Sequence, residues 1–276
     1  MTPLLLVDGH HLLYRSWWGF SGRRILSRDK QRDLTGVFGF LAILRKTHLE
    51  ELPDHEIIVI FDGENAHTTR QPHDATYKAN RATADHTPIK SLRPVKDALT
   101  HLGVPWLELD DHEADDVIAT LTHTATANGR PVTCYSGDRD LFQLLDHPAV
   151  TLLNPARHRL TGPDIQERHQ VTARQWPDYR ALTGDPADNI PGISGIGPKT
   201  AAALLADGLH LDDLPGSPRL RTPRCRGITD HWDQLLTWRD LIRLNRSIPI
   251  PTPPGTDAPT PPLPRAARTL EDLNLW

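Results

Sequence analysis

Three short apolar runs end in, or just before, an acidic residue. These pairs are Leu4–Val7 with Asp8, Ile57–Phe61 with Asp62, and Val132–Tyr135 with Asp138. If the runs are parallel strands, their carboxyl ends share one edge of a sheet, so the three carboxylates should converge. Carboxylates that lie only a few ångströms apart repel one another by several kcal/mol unless a cation lies between them. The pattern therefore predicts bound metal.

More acids follow in positions that extend this cluster. Glu113, Asp115 and Asp116 open a predicted helix, where the N-terminus favours negative charge. Glu113 and Asp116 are three residues apart and should share a helix face. The remaining candidate ligands are Asp140, Asp185 and Asp188.

An oxygen-only ligand set suits Mg²⁺ or Mn²⁺ better than zinc. Two such ions about 4 Å apart can activate a water, hold a scissile phosphate and stabilise the leaving oxygen. Any one acid taken singly fits a helix cap or a turn better than a metal ligand. Their joint placement favours the metal cluster. His10 and His11 follow Asp8, but we expect them to cap or pack, because hard cations prefer oxygen.

The elements that would position these acids alternate between strand and helix. Further strand runs are Val104–Leu107 and Val150–Leu153, with helices at about 34–51, 88–102, 113–128 and 138–146. Gly103 and Gly129 stand where two of these helices should stop. The alternation predicts an α/β fold with a parallel twisted sheet covered by helices.

From about residue 173 the strand signals give way to short helical segments separated by Gly and Pro. Residues 215–227 form a Pro/Arg-rich connector, and Trp232–Leu244 has a helical pattern. Residues 249–264 are rich enough in proline to predict an extended strap, after which Leu270–Trp276 could dock on the body.

A glycine-rich turn in this region is a candidate for binding phosphate groups. Its residues are Gly192, Gly195, Gly197, Lys199 and Thr200. Glycines before a helix that starts with proline leave backbone N–H groups open to a phosphate. A plain helix connector is the alternative, but the nearby acids favour binding.

Composition sets the class of protein. No apolar run approaches the length of a membrane span, and the two cysteines form no metal or disulfide pattern, so a cytoplasmic protein with reduced structural thiols is expected. The net charge of −4 argues at first against a nucleic-acid partner. Setting the nine candidate ligands aside from the 35 acids leaves 26 against 31 Lys and Arg, which predicts a basic surface around an acidic pocket.

Motifs over about residues 1–245 make the chain resemble the bacterial and phage 5′–3′ exonuclease family, the flap-endonuclease-like nucleases that also form the N-terminal domain of many DNA polymerase I enzymes. The motifs are LLLVDGHHLLYR (4–15), GVFGF (36–40), IVIFDG (58–63), YKANR (77–81), HEADDVIATL (112–121), SGDRDLFQLL (136–145) and YRALTGDPADNIPGISGIGPKTAAALL (179–205).

The resemblance implies a PIN-like catalytic core over 1–172, with a helical arch at about 64–100, then a helix–three-turn–helix module over 173–248 and a tail over 249–276. It implies two or three Mg²⁺ or Mn²⁺ ions, with K⁺ at the hairpin turn. One metal would be held mainly by Asp8, Asp62, Glu113, Asp115 and Asp116, and the other nearer Asp138, Asp140, Asp185 and Asp188. No polymerase segment follows, so the stand-alone form is expected.

The arch segment supplies candidate cations. Helical spacing would place Lys78 and Arg81 on one face, where they could stabilise charge on the transferring phosphate, and Tyr77 could stack on a base. An exposed amphipathic helix is the plain alternative. Of Trp17 and Trp18, we expect one to pack in the core and the other to contact DNA near a branch.

The sequence thus predicts a monomeric, structure-specific nuclease of DNA replication or repair. It would cut 5′ ends and 5′ flaps and leave a 5′-phosphate and a 3′-hydroxyl. One alternative is a DNA-binding module without catalysis, which the presence of all nine acids disfavours. Another is a PIN-type ribonuclease, which the hairpin module and the long arch disfavour, although RNA in hybrids stays open as a substrate.

Overall fold

One twisted sheet organises the chain. The computed structural model describes residues 1–20, 22–66, 74, 76–79, 85–251 and 254–276. The strands of these residues are β1 (Leu4–Asp8), β2 (Glu56–Asp62), β3 (Trp106–Leu109), β4 (Val132–Tyr135), β5 (Val150–Leu153) and β6 (Arg159–Leu160). Their order is β3-β2-β1-β4-β5-β6, with β1 to β5 parallel and β6 antiparallel to β5. The carboxyl ends of the two central strands, β1 and β4, therefore lie side by side.

Helices cover both faces of the sheet and make up the C-terminal region. They are α1 (Gly9–Phe20), α2 (Thr35–Glu51), α3 (Leu92–His101), α4 (Ala114–Ala127), α5 (Gly162–His169), α6 (Trp176–Thr183), α7 (Pro198–Leu204), α8 (Arg226–Asp230), α9 (Trp232–Ile242) and α10 (Ala266–Asp272). Short 3₁₀ segments also occur, including Thr87–Ser91 directly before α3 and Asp140–Asp146 between β4 and β5.

Strand periodicity divides the core in two. In β1, Leu5 and Val7 pack with α1, α2, α3 and α10, while Leu4 and Leu6 face α4 and the C-terminal helices. The hydrophobic cluster that contains Leu4 and Leu6 runs without interruption from the sheet through Trp176 to helix α9. The sheet and the C-terminal helices therefore share one hydrophobic core.

The predicted α/β fold with a parallel sheet is confirmed, and most element boundaries agree within two residues. The segment 138–146 is an exception, because it forms a 3₁₀ helix instead of an α-helix. Its apolar spacing fits both forms, and the tighter turn keeps Asp140 next to Asp138, whose carboxylate accepts the Asp140 N–H at 2.8 Å. The predicted helix 88–102 likewise begins as a 3₁₀ turn before α3.

Gly103 and Gly129 end helices α3 and α4 as predicted, with φ of +66° and +75°. Strand β6 was not predicted, since two residues carry no periodic signal. Both cysteines are free and buried, which agrees with a structural role.

The C-terminal segment is fastened to the body. Thr260 receives the Ile57 N–H on its hydroxyl at 2.8 Å and donates its own N–H to His55 at 3.1 Å. At the end, Leu270 is fully buried and the Trp276 ring meets Phe38 edge-on at 6.0 Å. The expected docking of this end is therefore observed. None of the helices in the described ranges has the length and apolarity that a membrane span needs.

Candidate active site

Asp8 lies at the end of β1, close to the rim formed by the strand ends. Its two carboxylate oxygens accept hydrogen bonds from the His11 N–H at 2.9 Å and from the Ser136 hydroxyl at 2.8 Å. The first of these bonds caps helix α1, so the capping role weighed as an alternative is present here. Burial, and after it the charge of Asp62, raise the pKa of Asp8 from 3.8 to about 7. A cap alone has no need of a carboxylate so costly to ionise.

Asp62 connects β2 to α4. Its Oδ1 accepts the Ala114 N–H at 2.7 Å, which satisfies one of the open donors at the start of that helix. Its own N–H donates to Nδ1 of His10 at 3.0 Å. Nδ1 is thus an acceptor, which fixes the imidazole with its proton on Nε2. His10 therefore packs edge-on against the Phe61 ring and receives the Asp62 N–H, which is the packing role expected for it.

Asp138 joins two overlapping groups of acids. Its charge raises the pKa of Asp8 and Asp115 on one side and of Asp140 on the other. For Asp115 and Asp140 burial is the largest cause, and both pKa values lie well above the ordinary value. Asp185 and Asp188 are also close enough to raise the pKa of Asp140. The structure therefore brings acids from the strand ends, α4 and the 185–188 turn to one place.

Two buried cations balance part of this charge. The Lys78 Nζ lies 2.7 Å from Glu113 and 3.8 Å from Asp188, and only 11% of its side chain is exposed. The Arg180 guanidinium lies 2.6 Å from Asp185 and above the Trp176 ring. Lys78 was predicted from the sequence. Arg180 was not, because an arginine inside a helical pattern gives no hint of which way it turns.

Lys78 does not lie on a helix. Its φ is +55°, in the left-handed region. The prediction that Lys78 shares a helical face with Arg81 is therefore wrong, because Lys78 does not have a helical conformation. Arg81 lies outside the described residues.

Tyr77 is turned inward. Its side chain is 2% exposed, and its hydroxyl donates to Asp188 at 3.2 Å and, at 3.5 Å, to Glu113. The expected stacking of this ring on a base does not fit this conformation, because the ring has no face open to solvent.

Asp116 accepts the Asn245 N–H at 2.8 Å and is 8% exposed. Over the described ranges, no three acidic, histidine or cysteine side chains already form a group that could hold a metal ion. The carboxylates are near enough to raise one another's pKa, yet several are turned to hydrogen-bond donors instead of to a common point. Repulsion between like charges accounts for that arrangement.

The donor set nevertheless suits a hard cation. Every candidate ligand is a carboxylate, and oxygen ligands are those that Mg²⁺ and Mn²⁺ prefer. Oδ1 of Asp140 is buried and has no hydrogen-bond partner among the described residues. Such an orphaned acceptor, in a carboxyl whose pKa is raised, is what a cation would satisfy.

The predicted hairpin forms a surface turn just before α7. Gly192 has φ +69°, and a Cβ there would lie 2.3 Å from the Gly184 backbone nitrogen, so the turn requires glycine. Gly195 has φ +81°, but a Cβ there would meet nothing within 4 Å. Gly197 is similarly open, and Lys199 is exposed beside Thr200. The tip of the hairpin can therefore be approached closely.

The paired tryptophans at the end of α1 differ in exposure. Trp17 is half-buried, and its ring would lie 3.3 Å from a Cβ at Gly36. Trp18 is 54% exposed. One packs and the other faces outward, as expected.

Comparisons with known proteins agree with this arrangement. Residues 3–174 match the family model for the 5′–3′ exonuclease N-terminal resolvase-like domain, and residues 171–262 match that for the 5′–3′ exonuclease C-terminal SAM fold.

Among curated proteins, the chain is 38% identical over 207 residues to a 5′–3′ exonuclease of Aquifex aeolicus, covering 74% of this chain and 69% of that protein. It is 37% identical over 262 residues to the thermostable DNA polymerase I of Thermus filiformis, covering 91% of this chain. The match spans only 30% of the polymerase's length.

Among solved structures, the flap endonuclease of bacteriophage T5, in a complex with DNA and metal ions, superposes with a TM-score of 0.69. The two are 22% identical, and the match covers 88% of this chain and 89% of that one. At this identity the likeness shows a shared fold.

Proposed function

Because the chain belongs to the 5′–3′ exonuclease family, we propose that it hydrolyses DNA phosphodiesters at 5′ ends and 5′ flaps with divalent cations, leaving a 5′-phosphate and a 3′-hydroxyl. The observation that carries this proposal is the shared acidic centre around Asp138, in which buried carboxyls on both sides have raised pKa values. A buried cluster of acids in a nuclease family has a direct purpose if cations bind there.

The proposed metal ligands are nine carboxylates: Asp8, Asp62, Glu113, Asp115, Asp116, Asp138, Asp140, Asp185 and Asp188. Bound divalent cations would supply an activated water and charge neutralisation at the phosphate. If Glu113 and Asp188 held cations, their bonds to Lys78 and Tyr77 would be exchanged for bonds to the metal. The Lys78 ammonium would then face the scissile phosphate, where it would stabilise developing negative charge. Arg81 is proposed for the same task.

The same proposal assigns different roles to the two parts of the chain. Residues 1–172 would carry the chemistry, and 173–248 would hold the duplex. The hairpin of Gly192, Gly195 and Gly197, with Lys199 and Thr200, would contact backbone phosphates without reading sequence. The open space around Gly195 supports this, because a Cβ added there would meet no protein atom within 4 Å.

One experiment tests the activity and its metal dependence together. Purified protein is given end-labelled 5′-flap, nicked, gapped and single-stranded DNA, with Mg²⁺, with Mn²⁺ or with EDTA, and products are sized. We expect cleavage near the flap base and at 5′ ends, with 5′-phosphate products, only when a divalent cation is present. A matching flap of RNA tests RNA as a substrate. Cleavage in EDTA, or no cleavage of any DNA, would refute the proposal.

A further inference from the structure

The turn that carries Lys78 is fastened to helix α9. Oδ2 of Asp74 accepts the Trp238 indole N–H at 3.3 Å and the Gln234 side-chain N–H at 3.4 Å. Oδ1 of Asp74 accepts both the N–H and the hydroxyl of Thr76, at 2.8 and 2.6 Å. One carboxylate therefore joins this turn to helix residues that lie 160 and 164 positions away in the sequence.

The same turn is also held from the acidic side. The Asn189 side-chain amide donates to the Thr76 carbonyl at 2.8 Å. The Lys78 N–H donates to the Asp188 carbonyl at 3.0 Å. Residues 74 and 76–78 are thus attached at once to α9 and to the turn that bears Asp188.

These contacts hold an unusual backbone conformation. With φ at +55°, Lys78 lies in a region that long side chains rarely occupy. Such a conformation persists when the surroundings define it, and it is a recognised feature of functional sites. Here it directs the Lys78 Nζ to Glu113, at 2.7 Å.

We propose that Asp74, Trp238 and Gln234 are positioning residues that hold Lys78 at the acidic centre. Helix α9 would thereby set the position of the Lys78 ammonium group. Trp238 is 7% exposed and belongs to the hydrophobic cluster that joins Leu4 and Leu6 of the sheet to helix α9, so it gives Asp74 a rigid partner. The inference rests on the role proposed above for Lys78. It predicts that weakening the attachment slows the chemical step without weakening DNA binding.

The chain supplies a matched control for Asp74. Asp85 makes the same local turn, accepting the Thr87 N–H at 2.8 Å on its Oδ1. Over the described ranges, no hydrogen bond is found between Asp85 and helix α9. Replacing Asp85 therefore removes an equivalent local contact and leaves the attachment to α9 intact.

The first measurement is single-turnover cleavage of a 5′-flap duplex at saturating enzyme with Mg²⁺. Asp74→Ala and Trp238→Phe should each lower the rate about threefold to tenfold, the loss expected for one or two hydrogen bonds, while Asp85→Ala keeps the wild-type rate. Affinity for the same duplex, measured by anisotropy with Ca²⁺, should stay within about twofold. Trp238→Phe keeps a ring in the core, so it serves if Asp74→Ala fails to fold.

The second measurement is a double-mutant cycle with Lys78. If Asp74 acts through Lys78, then Asp74→Ala should cause no further loss in the Lys78→Ala protein. Equal losses in both backgrounds, or a wild-type rate for both Asp74→Ala and Trp238→Phe, would overturn the positioning role. A wild-type rate for Lys78→Ala alone would instead overturn the proposed catalytic role of Lys78, and with it this inference.

Discussion

At the scale of single residues, the acidic centre combines two demands on the same side chains. Asp8 caps the following helix α1, Asp62 accepts the N–H at the start of the more distant helix α4, and the pKa of Asp8 is raised to about 7. The capping fixes the carboxylates in position, and burial makes them costly to ionise without a cation. A structural role and a ligand role are therefore compatible in one aspartate.

The raised pKa of Asp8 predicts how stability depends on pH without metal. The folded protein keeps a proton that the unfolded chain releases between pH 3.8 and about 7, so the free energy of unfolding should fall as pH rises through that window. Asp8→Asn removes this contribution. In EDTA at pH 8 it should melt on the order of 5 °C above wild type, and the difference should shrink towards pH 5.

Melting curves in EDTA from pH 5 to pH 8 check this prediction, with the exposed Asp230→Asn as the control that should follow wild type. Asp115 and Asp140 act in the same direction, so Asp8→Asn should flatten the pH dependence without abolishing it. Parallel curves for wild type and Asp8→Asn would contradict the assigned shift.

Lys78 carries the second prediction at this scale. Because its ammonium would act on charge that develops only during the reaction, Lys78→Ala should lower the single-turnover rate about a hundredfold and leave duplex affinity in Ca²⁺ nearly unchanged. Lys46→Ala, at an exposed site on α2, is the control. Should Lys78→Ala lose affinity and rate by the same factor, Lys78 would be a binding residue instead.

At the scale of elements, strand order decides which acids meet. Strands β1 and β4 are neighbours in the sheet, although β2, β3 and the helices α1 to α4 lie between them in the sequence. Their parallel pairing brings the ends at Asp8 and Asp138 to one edge. The 3₁₀ turn after β4 then carries Asp140 into the same space.

The hairpin before α7 is the element for which a substitution separates binding from catalysis. Gly195→Val adds branched bulk at a positive φ where the side chain points to open space, so it should block phosphate approach while the protein stays folded. Duplex affinity should fall about fivefold to tenfold, and metal binding should not change.

Gly208 provides the matched control for that substitution. Its φ is +79°, and a Cβ there would also meet nothing within 4 Å, but it lies beyond α7 and outside the hairpin. Gly208→Val should therefore carry the same backbone strain and keep duplex affinity, as measured by fluorescence anisotropy. Equal affinities for the two valine variants would remove the hairpin from the DNA interface.

At the scale of the whole molecule, the fold was predictable because its signal is local and repeated. Apolar runs such as Val132–Tyr135 and Val150–Leu153 became strands with those same bounds. The approach of Asp8, Asp62, Asp115 and Asp138 to one another was predictable for the same reason, since these acids follow an apolar run or open a helix. Partners set by tertiary contact were not. Nothing near Trp238 in the sequence indicates that it meets Asp74, which lies 164 residues earlier.

The backbone of Lys78 shows the same limit. Periodicity predicts helical spacing with Arg81, but the turn is shaped by the neighbouring Asp74 and by Asp188 and Asn189, which lie more than 100 residues further along the chain. The local sequence pattern therefore identified Lys78 as a candidate residue but did not predict its backbone conformation.

The most direct test of the shared acidic centre is a calorimetric titration of the metal-free protein with Mn²⁺ at about pH 7.5, with wild type, Asp138→Asn and Asp230→Asn side by side. We expect wild type and Asp230→Asn to bind two ions. Asp138→Asn should lose one ion or bind at least about tenfold more weakly, because Asp138 lies between both groups of acids. Absence of saturable binding to wild type, or unchanged binding by Asp138→Asn, would contradict a metal centre at this rim.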